Sequence, residues 1–325
     1  SLTFALIPLQ TVLAVVAVAV MSAMSMDFSM QFSVAVVALC VATMTYNSAI
    51  CLMYGLRRYR DVLMTDTGSA ALQIVVLVCL LLGGRLTATS AVLAMAAGSA
   101  LGAVMLVQRS GGLRHRSGDR TTRHWRGLIT DGVSPMAGSI AMFVALRLDR
   151  FVLAIAVGSH SLGLFVVALA VPETLRVLPK AMGQVIADRG RSGIDSIDTA
   201  RRHCRLVVLG YCAVLTVAAV LGWALIPAVF GEGFIEAREV LIIVTVAEAV
   251  LSVHMMDQAL LIAFGRPYGI GVPQVVGALV TVVLTVIMIP RWGINGAAWA
   301  CLLGYSALTV TSTIWTSYEL RRLRS

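Results

Sequence analysis

The chain has 325 residues, 59% of them hydrophobic and 13% charged, with a mean hydropathy of +0.91. A soluble domain carries about 45–50% apolar and about 25% charged residues, so this composition excludes a water-soluble globule and describes a polytopic membrane protein. The formal charge of +9 does not indicate nucleic acid, because the basic residues fall in short gaps between apolar runs. Aromatic residues are few and Ala, Val and Leu dominate, which suits helices and not the alternating pattern of a β-barrel.

Ten segments are long enough to span the hydrocarbon core at 1.5 Å rise per residue: 3–23, 33–55, 68–84, 87–107, 133–157, 161–186, 206–229, 238–264, 268–289 and 294–318. The chain opens on Ser1 and is already apolar at Leu2, which reads as a missing N-terminus and not as a signal peptide. The gaps between segments sort by charge. One side collects Arg57, Arg58 and Arg60, the run from Arg109 to Arg126, the run from Arg189 to Arg205, then Arg266 and Arg321, Arg322 and Arg324. The other side holds only Arg85, Arg238 and Arg291. An asymmetry that alternates with every span supports the span count and places both ends of the chain in the cytoplasm.

The longest polar gap reads as a flexible linker. It divides a four-helix N-terminal lobe, 1–107, from a six-helix C-terminal lobe, 128–325, with a basic cytoplasmic linker at 108–127. Four helices before it and six after it imply two more upstream. The loops facing the other side are short, so no soluble catalytic domain has room, and an enzyme is the least supported class. The face from Gly98 to Gly102 has small residues four apart, suited to close helix packing. The six cysteines have no metal-ligand spacing and read as small buried hydrophobes. The segment from Asp188 to Arg205 is polar and partly amphipathic, the pattern of a cytoplasmic surface helix.

The chemistry concentrates in the fifth and sixth spans. Arg147-Leu-Asp-Arg150 interrupts an apolar run of bilayer length, and each charge near the bilayer centre costs roughly 2.5–3.5 kcal/mol on the lenient insertion scale. Arg147 and Arg150 share a helical face, with Asp149 off to one side. On the next span Glu173, Arg176 and Lys180 fall three and four apart on one face, flanked by Pro172 and Pro179, which loosen the helix. These groups form either an ion network that holds helices together or a wet cationic cavity for an anionic substrate. Lys180 alone reads as a snorkelling lysine. On the eighth span His254 and Asp257 share a face and Glu248 projects nearly opposite; intramembrane acids are candidates for coupling to protons or sodium. No metal, cofactor or phosphate-loop pattern appears.

Several blocks together resemble the polysaccharide-repeat flippases of the MATE-like transporter superfamily. They are Arg147-Leu-Asp-Arg150 followed by Gly158-Ser-His-Ser-Leu-Gly-Leu-Phe165, then Val229-Phe-Gly-Glu-Gly-Phe234, then Ala263-Phe-Gly-Arg266, and most specifically Ile289-Pro-Arg-Trp-Gly-Ile-Asn-Gly-Ala-Ala298. The resemblance implies an all-α integral membrane protein whose ten helices are the third to twelfth of a twelve-helix fold, in two lobes around a central cavity. It implies alternating access in the bacterial cytoplasmic membrane, flipping a polyprenyl-diphosphate-linked oligosaccharide in polysaccharide biosynthesis. Arg147, Arg150 and Arg176 would attract the anionic headgroup. Asp149, Glu173, Glu248, His254 and Asp257 would line the cavity or couple H+ or Na+. Polysaccharide polymerase, glycosyltransferases and membrane lipids would be partners. The competing expectations are a cation-coupled multidrug exporter of the same superfamily and a non-transporting scaffold subunit.

Overall fold

A computed structural model describes residues 30–55, 58–109 and 125–323; the first expected span, 3–23, and most of the basic linker lie outside these. The described residues are almost wholly helical, and the chain divides into two compact units, Ser1–Arg120 and Thr121–Ser325.

The first unit contains α1 (Met30–Gly55), α2 (Tyr59–Leu82) and α3 (Ala88–Arg109). Helix α2 starts nine residues earlier than expected because its polar first turns are neutralised locally. Arg58 pairs with Asp61 at 2.6 Å, and the Tyr46 hydroxyl of α1 donates to Asp66 at 2.8 Å. Thr87 and Ser90 cap the start of α3 reciprocally, each hydroxyl accepting from the other's backbone N–H. The small face of α3 does what its spacing implies. Gly98 lies against Gln73, and Gly102 against the Tyr46 ring, where an added Cβ would come within 2.7 Å of a ring carbon. Tyr46, Met53, Val62 and Leu106 form the core there.

The second unit contains α4 (Trp125–Ala156), α5 (Ser159–Leu175), α6 (Val177–Arg191), α7 (Ile197–Phe230), α8 (Ala237–Ala263) and α9 (Gly271–Arg322). Its core packs α4, α5, α8 and α9 through Leu153, Phe165, Leu241, Leu251, Ile289 and Leu308. Seven helical stretches among the described residues are long and apolar enough to cross a membrane. Helix α4 has 32 residues, and the Arg-Leu-Asp-Arg element is inside it.

One expectation needs correction. The polar segment from Asp188 to Arg205 is not one surface helix. It closes α6, turns, and enters the first turns of α7, where Ser196 accepts from the Thr199 N–H. Asp195 in that turn is gripped by Arg189 at 2.9 Å and faces His203 at 3.4 Å, and the Arg189 guanidinium holds its carboxyl below the ordinary aspartate range. Residues 161–186 lie within one stretch long and apolar enough to cross a membrane, Ser159–Arg191, loosened at the single residue Arg176 between Pro172 and Pro179, since Pro179 brings no N–H to the ladder.

Helix α9 runs 52 residues, about 78 Å if straight, far longer than a bilayer. It is two limbs joined at Gly293, whose φ of +56° is left-handed and open to glycine without a steric penalty. The limbs return antiparallel along small residues. Gly296 meets the Met288 carbonyl, Gly304 meets Thr281, and Gly277 meets Leu308. The block from Ile289 to Ala298 is therefore a tight hairpin between two spans.

An added Cβ at Gly296 would stand 2.3 Å from the Met288 carbonyl oxygen, whereas Gly210 in α7 has open space. Gly296→Val is expected to destabilise the protein by about 1–3 kcal/mol through overpacking. Gly210→Ala is expected to be neutral or to stabilise by up to about 1 kcal/mol through helix propensity. Thermal unfolding of the detergent-solubilised protein measures both.

Candidate functional site: a charged cluster in the second unit

Helix α4 carries the anomaly into the interior. Arg147 and Arg150, one turn apart, both reach Glu173 near the end of α5: Arg147 at 3.2 Å, and Arg150 on the other carboxylate oxygen. Asp149 lies between them in sequence but turns away and is 2% exposed. It accepts from the Arg150 backbone N–H at 2.7 Å and from the Cys301 thiol of α9 at 3.4 Å. The sequence pairing of the fifth and sixth spans is thus realised, with Glu173 as the shared partner.

Arg176 does not join that group. It reaches α8, where it grips Glu248 with two parallel hydrogen bonds, Nε to Oε2 at 2.8 Å and Nη2 to Oε1. Glu248 is 1% exposed, and its partner lies 72 residues away in sequence. Forked arginine–carboxylate pairing of this kind fixes geometry as well as charge. Glu248, expected as a candidate coupling acid, is one half of this ion pair.

The other two expected residues lie elsewhere. The buried His254 pairs through Nε2 with Gln258 at 2.7 Å, while its Nδ1 has no partner among the described residues. Asp257 accepts from the Thr313 hydroxyl at 2.7 Å, so His254 and Asp257, three apart on α8, look to different partners. Lys180 is exposed on α6, beyond the break.

Sequence reasoning missed Cys301 and Tyr305, one turn apart on the second limb of α9 and both buried. Cys301 was visible only as a small hydrophobe; its role as donor to Asp149 is a contact across 152 residues with no local signal. Tyr211 of α7, 3% exposed, is likewise buried with an unpartnered hydroxyl. Among the described residues no group of His, Cys, Asp and Glu is placed to hold a metal ion.

The helical fold is similar to that of solved MATE transporters of the MOP superfamily. The chain superposes over 99% of its length on an outward-facing multidrug resistance MATE family transporter, with a TM-score of 0.77 and 13% identity, covering 77% of that chain. An inward-facing conformation of such a transporter matches with a TM-score of 0.71, 13% identity, and 99% and 80% of the two chains. A MOP superfamily transporter from Pyrococcus furiosus, described by a reversed polarity of its binding pocket that suggests a different function, matches with 0.74 and 13% identity, over 100% and 78%. No protein-family model and no curated protein matches the sequence.

Removing one partner of the Arg176–Glu248 pair leaves a buried charge uncompensated. Glu248→Gln is expected to lower stability by about 3 kcal/mol, whereas the double change Arg176→Met with Glu248→Leu recovers most of the loss. Thermal unfolding of the three variants beside the parent checks this. A Glu248→Gln protein as stable as the parent would show that the pair is energetically idle.

Proposed function

We propose that the chain is a transporter working by alternating access that moves an anionic amphiphile, a polyprenyl-diphosphate-linked oligosaccharide, across the bacterial cytoplasmic membrane. The observation that carries this reading is the convergence of Arg147 and Arg150 on the single carboxylate of Glu173. One carboxylate balances one guanidinium, so this face keeps a surplus positive charge. Asp149 does not share the face; it is buried behind, against Cys301. Arg147 is 41% exposed and Arg150 is 23% exposed. An arginine left facing acyl chains at mid-span is costly, so a half-exposed pair calls for water or an anionic ligand. A diphosphate offers several oxygens to which two guanidinium forks can donate.

In this reading Glu173 holds the two arginines in place between substrates and yields to the diphosphate, while Arg176 and Glu248 form a closed pair that keeps α5, α6 and α8 in register. Asp149, Glu173, His254 and Asp257 remain the candidate proton- or sodium-coupling groups. No covalent step is required, and the lipid tail stays in the bilayer while the sugar crosses.

The multidrug names of the solved neighbours favour a second reading, cation-coupled export of drugs. The surplus of arginine opposes it, because a cationic drug needs acidic or aromatic walls. The name of the Pyrococcus furiosus transporter likewise ties pocket polarity to function in that protein.

In vesicles reconstituted with the full-length protein, Arg147→Ala and Arg150→Ala are each expected to slow translocation of a fluorescent polyprenyl-diphosphate sugar by about tenfold, the equivalent of about 1.4 kcal/mol. Efflux of a cationic dye should be absent in parent and variants alike. Unchanged translocation in both variants, or robust dye efflux, would sink the anion reading.

A further inference from the structure

A cavity of about 480 Å³ opens between α7, α8 and α9 at the arginine-rich end of the second unit, away from Arg147 and Glu173. Its mouth carries Arg201 and Arg205 from the first turns of α7, and neither enters an ion pair within 4 Å among the described residues. Its walls are apolar, built from Val208, Leu209, Val253 and Leu260. Asp257 lines it, bound to the Thr313 hydroxyl. So does Thr316, 2% exposed, whose hydroxyl has no partner.

The charges select the occupant. Two arginines against one carboxylate leave a single positive charge at the mouth, the complement of a phosphodiester monoanion. The apolar wall continues along α7 from Arg205 to the outward-facing Leu209, which is 67% exposed, in the direction an acyl chain follows into the bilayer. Basic pockets between membrane helices bind anionic lipid headgroups in this manner. A soluble anion would leave the apolar wall unused, and a neutral lipid would leave the surplus arginine uncompensated.

We infer that this cavity is a binding site for one anionic phospholipid, its phosphate on Arg201 and Arg205 and the start of an acyl chain against Val208 and Leu209. The buried Thr316 hydroxyl in the wall supplies a donor for a glycerol or ester oxygen. The site is separate from the proposed substrate face, and the lipid is a resident that packs three helices together, not a transported molecule.

Native mass spectrometry of the full-length protein, released from nanodiscs of phosphatidylcholine doped with phosphatidylglycerol, tests this directly. The parent is expected to retain one phosphatidylglycerol and no phosphatidylcholine. Arg201→Gln with Arg205→Gln should weaken retention about 30-fold, taking about 1 kcal/mol for each basic residue near an anionic lipid. Val208→Trp should exclude the chain and leave both arginines intact, and Arg291→Gln, at the opposite end, should change nothing. Circular dichroism confirms that the variants keep their helices, and the arginine pair, being near the surface, decides the matter if Val208→Trp does not fold. Undiminished retention in a folded arginine-pair or Val208→Trp variant, or equal retention of phosphatidylcholine, overturns the proposal.

Discussion

The bidentate grip of Arg176 on Glu248 is the contact on which the arrangement of the second unit turns. Glu248 is fully buried on α8, and an isolated carboxylate there would cost several kcal/mol. Arg176 stands at the one-residue interruption between Pro172 and Pro179 and reaches across to α8, while Glu173 takes Arg147 and Arg150. The charges thus separate into a closed neutral pair and a face with two cations and one anion.

What was legible in the sequence follows from which signals are local. Arg147 and Arg150 stood out because charge in an apolar run is expensive wherever it occurs, and Glu173 followed because consecutive spans are neighbours. The small face of α3 and the Gly-Pro block from Ile289 to Ala298 were legible because backbone approach demands glycine. Glu248 was legible as an intramembrane acid, but its partner was not, since nothing in a sequence marks a contact across 72 residues. The Asp149–Cys301 contact was hidden for the same reason, and further because cysteine looks like any small apolar residue. The starts of α2 and α7 were misplaced for a different cause. A hydropathy pattern stops at the first charges, whereas a helix continues through them when Arg58 and Asp61, or Ser196 and Thr199, satisfy its first turn.

The same logic of compensation separates the two ends of the second unit. Inside, each buried acid has a donor: Asp149 a thiol and a backbone N–H, Glu248 a guanidinium, Asp257 a hydroxyl. Near the surface the acids run out before the arginines do. Asp195 takes both Arg189 and His203, and Arg201 and Arg205 are left facing a cavity walled by aliphatic side chains. Surplus cations thus recur at two depths, once at Glu173 and once at the mouth of that cavity.

Both places present surplus arginine, and the second sets it beside an apolar wall, the pattern that suits molecules with an anionic head and a long hydrocarbon tail. Glu173 marks the difference between them. A carboxylate shared by two guanidiniums can be displaced by a better anion and can take the arginines back afterwards, which is what a transported headgroup requires. At the Arg201–Arg205 mouth the nearby carboxylate, Asp257, feels the charge of Arg201 but is hydrogen-bonded to the Thr313 hydroxyl, so an anion seated there breaks no direct salt bridge. On the functions proposed for them, exchange belongs to the first site and residence to the second.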